Sequence, residues 1–148
     1  MPESSEINHV GSALGIRATI DAYFECVNRE DWDRLAELFC ADAELHAVGA
    51  RPRAGRGDIS TYFREALGPY PEHRDEPTRI IPAGQTVTVE IHFEGRLDNG
   101  RPLSFDAVDV FDFRGDRILR LTSWYDSAQV RRDLREASHG DARSPNEA

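Results

Sequence analysis

The first part of the chain repeats apolar residues at the spacing of amphipathic helices. Between Ser12 and Asn28 they recur every three or four positions and so share one helical face. These residues are Ile16, Ile20, Tyr23, Phe24 and Val27. A short second helix is predicted after Asp31, whose side chain suits an N-cap. A third is predicted from an N-cap at Asp58 to Leu67, where Gly68-Pro69 ends it.

Beyond residue 85 the apolar period changes from nearly four to two, which indicates β-strands. Apolar and polar residues alternate from Val87 to Glu94, and a second strand is predicted from Leu103 to Phe113. Asp98-Asn99-Gly100 lies between them. It predicts a hairpin with a type I′ turn, because Asn and Gly tolerate the positive φ that this turn needs. Arg114-Gly115-Asp116 predicts the next turn, followed by a strand over Ile118–Tyr125.

The remaining segments complete an α+β pattern. We expect a brief strand over Ala43–Val48, loops over Arg51–Gly57 and Tyr70–Pro77, and a short helix over Val130–Ala137. Helices followed by a meander of strands predict a curved antiparallel sheet, wrapped round by three N-terminal helices, that forms a cone with one apolar pocket. We expect one domain over residues 12–137, with disordered tails at residues 1–11 and 138–148.

Composition and charge narrow the possible functions. A chain of 148 residues is long enough for one domain with its own core. A net charge of -9 disfavours nucleic-acid binding, which needs clustered positive charge. No apolar stretch is long enough to span a bilayer, so we expect a cytoplasmic protein without a membrane partner. All 18 basic residues are arginine, which is typical of a GC-rich bacterial genome.

The sequence carries no motif for a cofactor or a metal. Its two cysteines form no CxxC pair, and its five histidines have no partner at metal-binding spacing. It also lacks a glycine-rich phosphate loop and a Gly-x-Ser-x-Gly elbow. We therefore expect chemistry without a cofactor and without a metal.

A series of motifs in a set order resembles one superfamily. Residues 23–43 read Tyr…Asn-x-x-Asp…Leu-x-x-Leu-Phe-x-x-Asp-Ala, and residues 109–118 read Asp-x-Phe-x-Phe-x-Gly-x-x-Ile. Two further segments match the same superfamily: residues 48–57, which lead into the third helix, and Trp124-Tyr125-Asp126 in the last strand. From Ile16 to Asp126 the chain resembles the SnoaL-like and ketosteroid-isomerase branch of the nuclear-transport-factor-2-like superfamily.

The resemblance implies a function as well as a fold. It implies a cofactor-independent isomerase or cyclase that uses general acid-base catalysis on an apolar, carbonyl-bearing small molecule of polyketide or steroid type. Because a fold does not fix a function, two alternatives stay open. One is a dehydratase, a lyase of the same fold, and the other is a non-catalytic ligand-binding or assembly domain.

The resemblance also assigns catalytic roles to three residues. Tyr23 and Asp109 align with the phenol and the protonated acid that hydrogen-bond the substrate oxygen in ketosteroid isomerase. His46 falls near the general base of that enzyme, and imidazole titrates near neutrality, so it could move a proton. Each has a structural alternative. Tyr23 could lie at the edge of its helix face, Asp109 on an exposed face opposite Val108 and Val110, and His46 in solvent.

Seven further residues are expected to contact the substrate. They lie on the third helix, on the strand face of Asp109, on the strand that pairs with it, or on one face of the last strand. These residues are Phe63, Val89, Ile91, Phe111, Leu121, Ser123 and Tyr125.

The outer face of the sheet predicts a homodimer. The strand Leu103–Phe113 carries apolar residues on both faces, and the helices can cover only one of them. Val108, Val110 and Trp124 therefore need a partner, for which a two-fold related copy is the commonest solution.

Overall fold

The protein is an α+β structure in which N-terminal helices pack against a curved, unclosed sheet, as the sequence predicts. The computed structural model describes the backbone of residues 11–147 and the side chains of residues 11–138. In chain order the elements are α1 (Ala13–Arg29), α2 (Trp32–Glu37), β1 (Phe39–Ala47), β2 (Arg53–Ala54), α3 (Arg56–Leu67), β3 (Glu72–Ala83), β4 (Thr86–Arg96), β5 (Pro102–Arg114), β6 (Arg117–Tyr125) and α4 (Ser127–Glu147).

The six strands form one sheet in the order β2-β1-β6-β5-β4-β3. Its neighbouring strands are antiparallel except β1 and β6, which run parallel, with Leu45 opposite Leu121. The sequence predicts an antiparallel sheet, so the parallel pairing of β1 with β6 differs from the prediction. It arises because β1 and β6 are joined through the helices and the meander, and not by a hairpin.

Side-chain caps fix the starts of the first two helices. The Ser12 hydroxyl accepts a hydrogen bond from the Gly15 N–H at 2.8 Å, and the Asp31 carboxylate accepts one from the Arg34 N–H at 3.3 Å. Asp58 is not the cap of α3, which begins two residues earlier. Its carboxylate instead accepts a hydrogen bond from the Ala54 N–H at 3.1 Å and so ties β2 to the first turn of α3.

The β4–β5 hairpin forms as predicted, but its turn is of another type. Gly100 has a φ of 84°, while Glu30 is the one non-glycine residue with positive φ in the described part of the chain. Asn99 is therefore outside the left-handed region that a type I′ turn requires. The Gly100 N–H donates to the Leu97 carbonyl at 2.8 Å, which closes a three-residue loop with glycine at its last position.

The strands β3 and β1 and the helix α4 also differ in extent from the prediction. β3 occupies much of the predicted loop Tyr70–Pro77 and forms one edge of the sheet, where prolines are tolerated. β1 begins at Phe39, four residues earlier than predicted, and α4 spans Ser127–Glu147. Residues 1–10 lie outside the described part of the chain, and the disorder of the two ends stays a prediction.

One face of the sheet, called the inner face here, packs against the helices. The inner face and α1 to α3 share a main core whose fully buried members include Ile20, Tyr23, Leu35, Val89 and Phe111. Across β5, the residues of the inner face alternate with partly exposed residues of the outer face, such as Val108 and Val110. Among residues 11–147 no helix has the length and apolar character needed to cross a membrane.

Candidate active site

A pocket with a volume of about 270 Å³ opens between the helices and the inner face of the sheet. Most of its wall is apolar or aromatic, with side chains from α1, α3, α4 and five of the strands. The wall also carries polar side chains that could contact a reacting group, among them Tyr23, Asp75 and Asp109. A concave apolar site with few polar groups is typical of small-molecule binding, and the volume lies just below the usual range of roughly 300–1,000 Å³.

Tyr23 reaches the pocket from the middle of α1. Its ring is 2% exposed and makes edge-to-face contacts with Phe24, Phe63 and Phe111, at centroid distances of 5.0, 6.0 and 5.0 Å. Its hydroxyl has no hydrogen-bond partner among the described residues, so it is free to donate to a ligand. Burial, with the nearby Asp109 carboxylate, raises the pKa of Tyr23 well above its ordinary value. The phenol therefore keeps its proton at neutral pH.

Asp109 lies in the centre of β5, a strand with a neighbouring strand on each side. It is 5% exposed and stands between Val89 on β4 and Ser123 on β6. Burial raises the pKa of the Asp109 carboxyl to about 7, against a hydrogen bond to Ser123 that lowers it and with a further rise from the charge of Asp75. This raised pKa favours the neutral acid, and a neutral acid can donate a hydrogen bond.

Asp75 is a carboxylate of the pocket that the sequence analysis did not identify. It lies on the edge strand β3, opposite Phe93 of β4, and lines the same pocket as Tyr23 and Asp109. Burial raises its pKa to about 6, although the nearby His73 works against this rise. The pocket thus holds two carboxyl groups that both titrate close to neutral pH.

The structure brings together seven of the ten predicted site residues. They all line the one pocket: Tyr23, Phe63, Ile91, Asp109, Leu121, Ser123 and Tyr125. Val89 and Phe111 are not among the residues that line it, and both pack in the main core. The expectation that these two side chains contact the substrate is therefore wrong.

The predicted role of His46 is also wrong, because the residue lies on the other face of β1. Leu45 and Ala47 are buried, so the alternation of a strand turns His46 to the outer face, beside Thr122 of β6. Its Nε2 atom is 3.9 Å from the Glu44 carboxylate. His46 does not line the pocket and cannot move a proton in it.

The pocket wall contains other residues that the sequence pattern did not predict as site residues. Tyr62 and Phe93 line it from α3 and β4, and Val130 and Leu134 line it from α4. The alternation over Val87–Phe93 already indicates that Phe93 shares a face with Ile91, so this residue could have been identified. Asp75 could not, since the sequence predicts a loop over Tyr70–Pro77.

The acidic and histidine residues of the described part form no metal centre. No group of three or more histidine, cysteine, aspartate or glutamate side chains is placed there to hold a metal ion. What the pocket offers is hydrogen-bond donors and proton-exchanging carboxyl groups. The fold and the pocket together define a nuclear-transport-factor-2-like cone with an acidic site in an apolar cavity.

Comparison with known families agrees with this class. The SnoaL-like domain model matches residues 20–121, and the chain belongs to the SnoaL-like family. The resemblance noted in the sequence is thereby confirmed. No curated protein matches the chain significantly.

Solved structures with this fold include enzymes of ring formation. A putative polyketide cyclase from Sinorhizobium meliloti is 25% identical, with a TM-score of 0.62 and a match over 72% of this chain and 94% of the other. SalBIII is an epoxide hydrolase/cyclase-like enzyme with a role in pyran ring formation in the polyether salinomycin. It is 25% identical, with a TM-score of 0.67 and a match over 76% and 91% of the two chains.

A third similar structure was solved with a small molecule bound. This hypothetical protein from Catenulispora acidiphila has a ketosteroid isomerase-like fold and is in complex with trimethylamine. It is 20% identical, with a TM-score of 0.70, and the match covers 76% of this chain and 88% of the other. At this identity the likeness concerns the fold.

Proposed function

We propose that the protein is a cofactor-independent isomerase or cyclase that acts on a small, apolar molecule with a carbonyl group. The observation that carries this proposal is the pair of Tyr23 and Asp109 in one apolar pocket, one a buried phenol and the other a buried carboxyl with a pKa of about 7. Family membership and the polyketide cyclase among the similar structures support it.

The two groups would act on the oxygen of an enolate. Removing a proton from the carbon beside a carbonyl places negative charge on the carbonyl oxygen. The Tyr23 hydroxyl and the neutral Asp109 carboxyl can both donate hydrogen bonds to that oxygen, and the apolar wall strengthens them by excluding water. Losing one such donor typically lowers the rate by about 100- to 1,000-fold.

The size of the pocket favours a substrate of few rings. A volume of about 270 Å³ is small for a drug-sized ligand, and a tetracyclic steroid fits such a pocket poorly. Of the two substrate types that the sequence suggests, a small polyketide-like ketone therefore fits better.

Proton exchange tests the proposal directly. A small ketone that enolises in the pocket exchanges its α-protons for deuterium in D₂O, which ¹H NMR follows. A panel of 2-tetralone, 1,3-cyclohexanedione and ethyl acetoacetate covers one- and two-ring and open-chain ketones. We expect the wild type to accelerate exchange of at least one of them. Asp109→Leu, which removes the donor, should lower that rate by at least about 100-fold.

A matched control and a binding probe separate catalysis from binding. Asp106→Asn changes an exposed carboxylate of the same strand on the outer face and should keep the wild-type rate. 2-Naphthol resembles the enol of 2-tetralone, and its fluorescence reports binding. Naphthol binding without exchange of any ketone in the panel would refute the isomerase and favour the non-catalytic binding domain.

We propose in addition that the protein acts as a cytoplasmic homodimer. Trp124 is 55% exposed on the outer face and stands opposite Val108 of the neighbouring strand. An exposed tryptophan beside valines on an open sheet face supports burial against a second copy of the chain.

A further inference from the structure

The carboxylate of Asp75 has no partner of its own. Asp75 is partly buried and lines the pocket, and no described residue donates a hydrogen bond or an ion pair to its carboxylate oxygens. An unpaired carboxylate in a mostly apolar wall destabilises the folded state. Groups of this kind cluster at functional sites.

The main chain of Asp75 is held firmly although β3 is an edge strand. The Asn28 side chain of α1 forms hydrogen bonds with both the N–H and the carbonyl of Asp75. The Asp75 N–H donates to Asn28 Oδ1 at 2.7 Å, and Asn28 Nδ2 donates to the Asp75 carbonyl at 3.0 Å. This amide clamp links residues 47 positions apart and fixes Asp75 against the helix that carries Tyr23.

Of the charged groups near Asp75, His73 is the one that lowers its pKa. Tyr23 of α1, Tyr62 of α3 and Asp109 of β5 face the same pocket. Next to Asp75 on β3 lies His73, whose Nε2 atom is 2.7 Å from the Glu30 carboxylate. No arginine other than Arg131 lines the pocket among the described residues.

The carboxyl groups of Asp75 and Asp109 titrate as a pair. The pKa of Asp75 is about 6 and that of Asp109 about 7, both raised chiefly by burial. Since the two charges interact, these values describe the pair. When the pair holds one proton, it provides one base and one hydrogen-bond donor in the same cavity.

We propose that Asp75 is the base that takes the α-proton in the reaction proposed above, on which this inference rests. An oxygen of Asp75 accepts the proton, and the C–H electron pair forms the C=C bond of the enolate. The carbonyl π pair moves to the oxygen, which Tyr23 and Asp109 hydrogen-bond. In an isomerisation Asp75 returns the proton to another carbon. In a cyclisation the enolate carbon attacks a second carbonyl, and the proton goes to the new alkoxide.

Asp75→Asn tests this role with the ketone panel and 2-naphthol. The substitution keeps the size of the side chain and removes the base. We expect α-proton exchange to fall at least about 100-fold, within the range of general-base catalysis, while the dissociation constant of 2-naphthol changes less than threefold. Glu76→Gln is the matched control, because Glu76 is the next residue, is exposed and pairs with Arg74 at 2.6 Å. It should keep the wild-type rate.

The pH profile and a second variant separate a base from a structural residue. The wild-type exchange rate should fall below pH of about 6 as Asp75 gains its proton and above pH of about 7 as Asp109 loses its own. Asp75→Glu retains a carboxylate and should exchange at least tenfold faster than Asp75→Asn.

Each result has a distinct meaning. Exchange by Asp75→Asn within threefold of the wild type overturns the role of Asp75 and leaves the proposed function standing. Loss of naphthol binding in Asp75→Asn, or a glutamate variant no faster than the asparagine variant, also overturns that role. A wild type that exchanges none of the ketones overturns the proposed function itself.

Discussion

Asp109 lies in surroundings that destabilise its charged form. Its neighbours on the inner face include Val89 and Phe111, both fully buried, and Ser123 provides a hydrogen bond. A native protein rarely keeps a carboxyl in such a place unless its neutral form is useful. The cost of this placement can be measured through the pH dependence of stability.

Asp109→Asn should stabilise the protein more at high pH than at low pH. The carboxyl has a pKa of about 7 when folded against an ordinary value of 3.8, so the folded state holds its proton more tightly. The contribution of this carboxyl to the free energy of unfolding is therefore fully present below pH 3.8 and is lost as the pH rises toward 7. The loss approaches about 4 kcal/mol, since one pKa unit corresponds to about 1.4 kcal/mol.

Urea denaturation of both proteins at pH 5 and pH 8 measures this effect. The asparagine variant has no carboxyl at position 109 to titrate. The free energy of unfolding of the variant, relative to that of the wild type, should therefore be higher at pH 8 than at pH 5. Asp33→Asn alters a fully exposed carboxylate on α2 and serves as the control. An equal difference between Asp109→Asn and wild type at both pH values would contradict the raised pKa.

At the scale of elements, the sequence predicts most of the fold but misses β3. The helices and β4 to β6 were predictable because their apolar residues repeat at 3.6 or 2 positions. In β3 the half-buried positions include His73 and Asp75, which are polar, so the apolar alternation that marks a strand is lost. Of these two residues, Asp75 lines the pocket. The pocket thus removes the signal of the strand that carries one of its carboxylates.

The error over His46 has a different origin. The residues Ala43, Leu45 and Ala47 alternate with Glu44 and His46, so the strand pattern alone indicates an outward histidine. The expected role came from the family resemblance, which aligns a position without fixing the face on which its side chain lies. Tyr23 and Asp109, in contrast, stand where both the pattern and the resemblance put them, and their catalytic roles stay predictions.

Asn28→Ala should loosen β3 and lower the exchange rate without blocking the pocket. It removes two hydrogen bonds to the main chain of Asp75, each worth about 1 kcal/mol. We expect a loss of about 1–3 kcal/mol in unfolding free energy and a fall in kcat of at least tenfold, with KM changed less than threefold. Asn99→Ala is the control, since Asn99 bonds the Ala137 carbonyl outside the site at 3.3 Å. Equal falls in kcat for both variants would show a general loss of stability instead.

For the whole molecule, the outer face decides the oligomeric state. Val108→Arg places a charge beside Trp124, where a second copy would have to desolvate it. We expect light scattering to give the mass of two chains for the wild type and of one chain for the variant, with ketone exchange retained. Leu14→Arg changes a side chain of α1 that is 85% exposed and should leave the dimer intact. A wild-type mass of one chain at micromolar concentration would contradict the dimer.

The parallel pairing of β1 with β6 also bears on the order in which the chain can fold during synthesis. Until β6 is made, the neighbour of β1 in the sheet is the two-residue strand β2, and Phe39 pairs with Ile118 far along the chain. Contacts between such distant residues close large loops and slow folding. The apolar side chains of β1 therefore stay without their main sheet neighbour until β6 has been made.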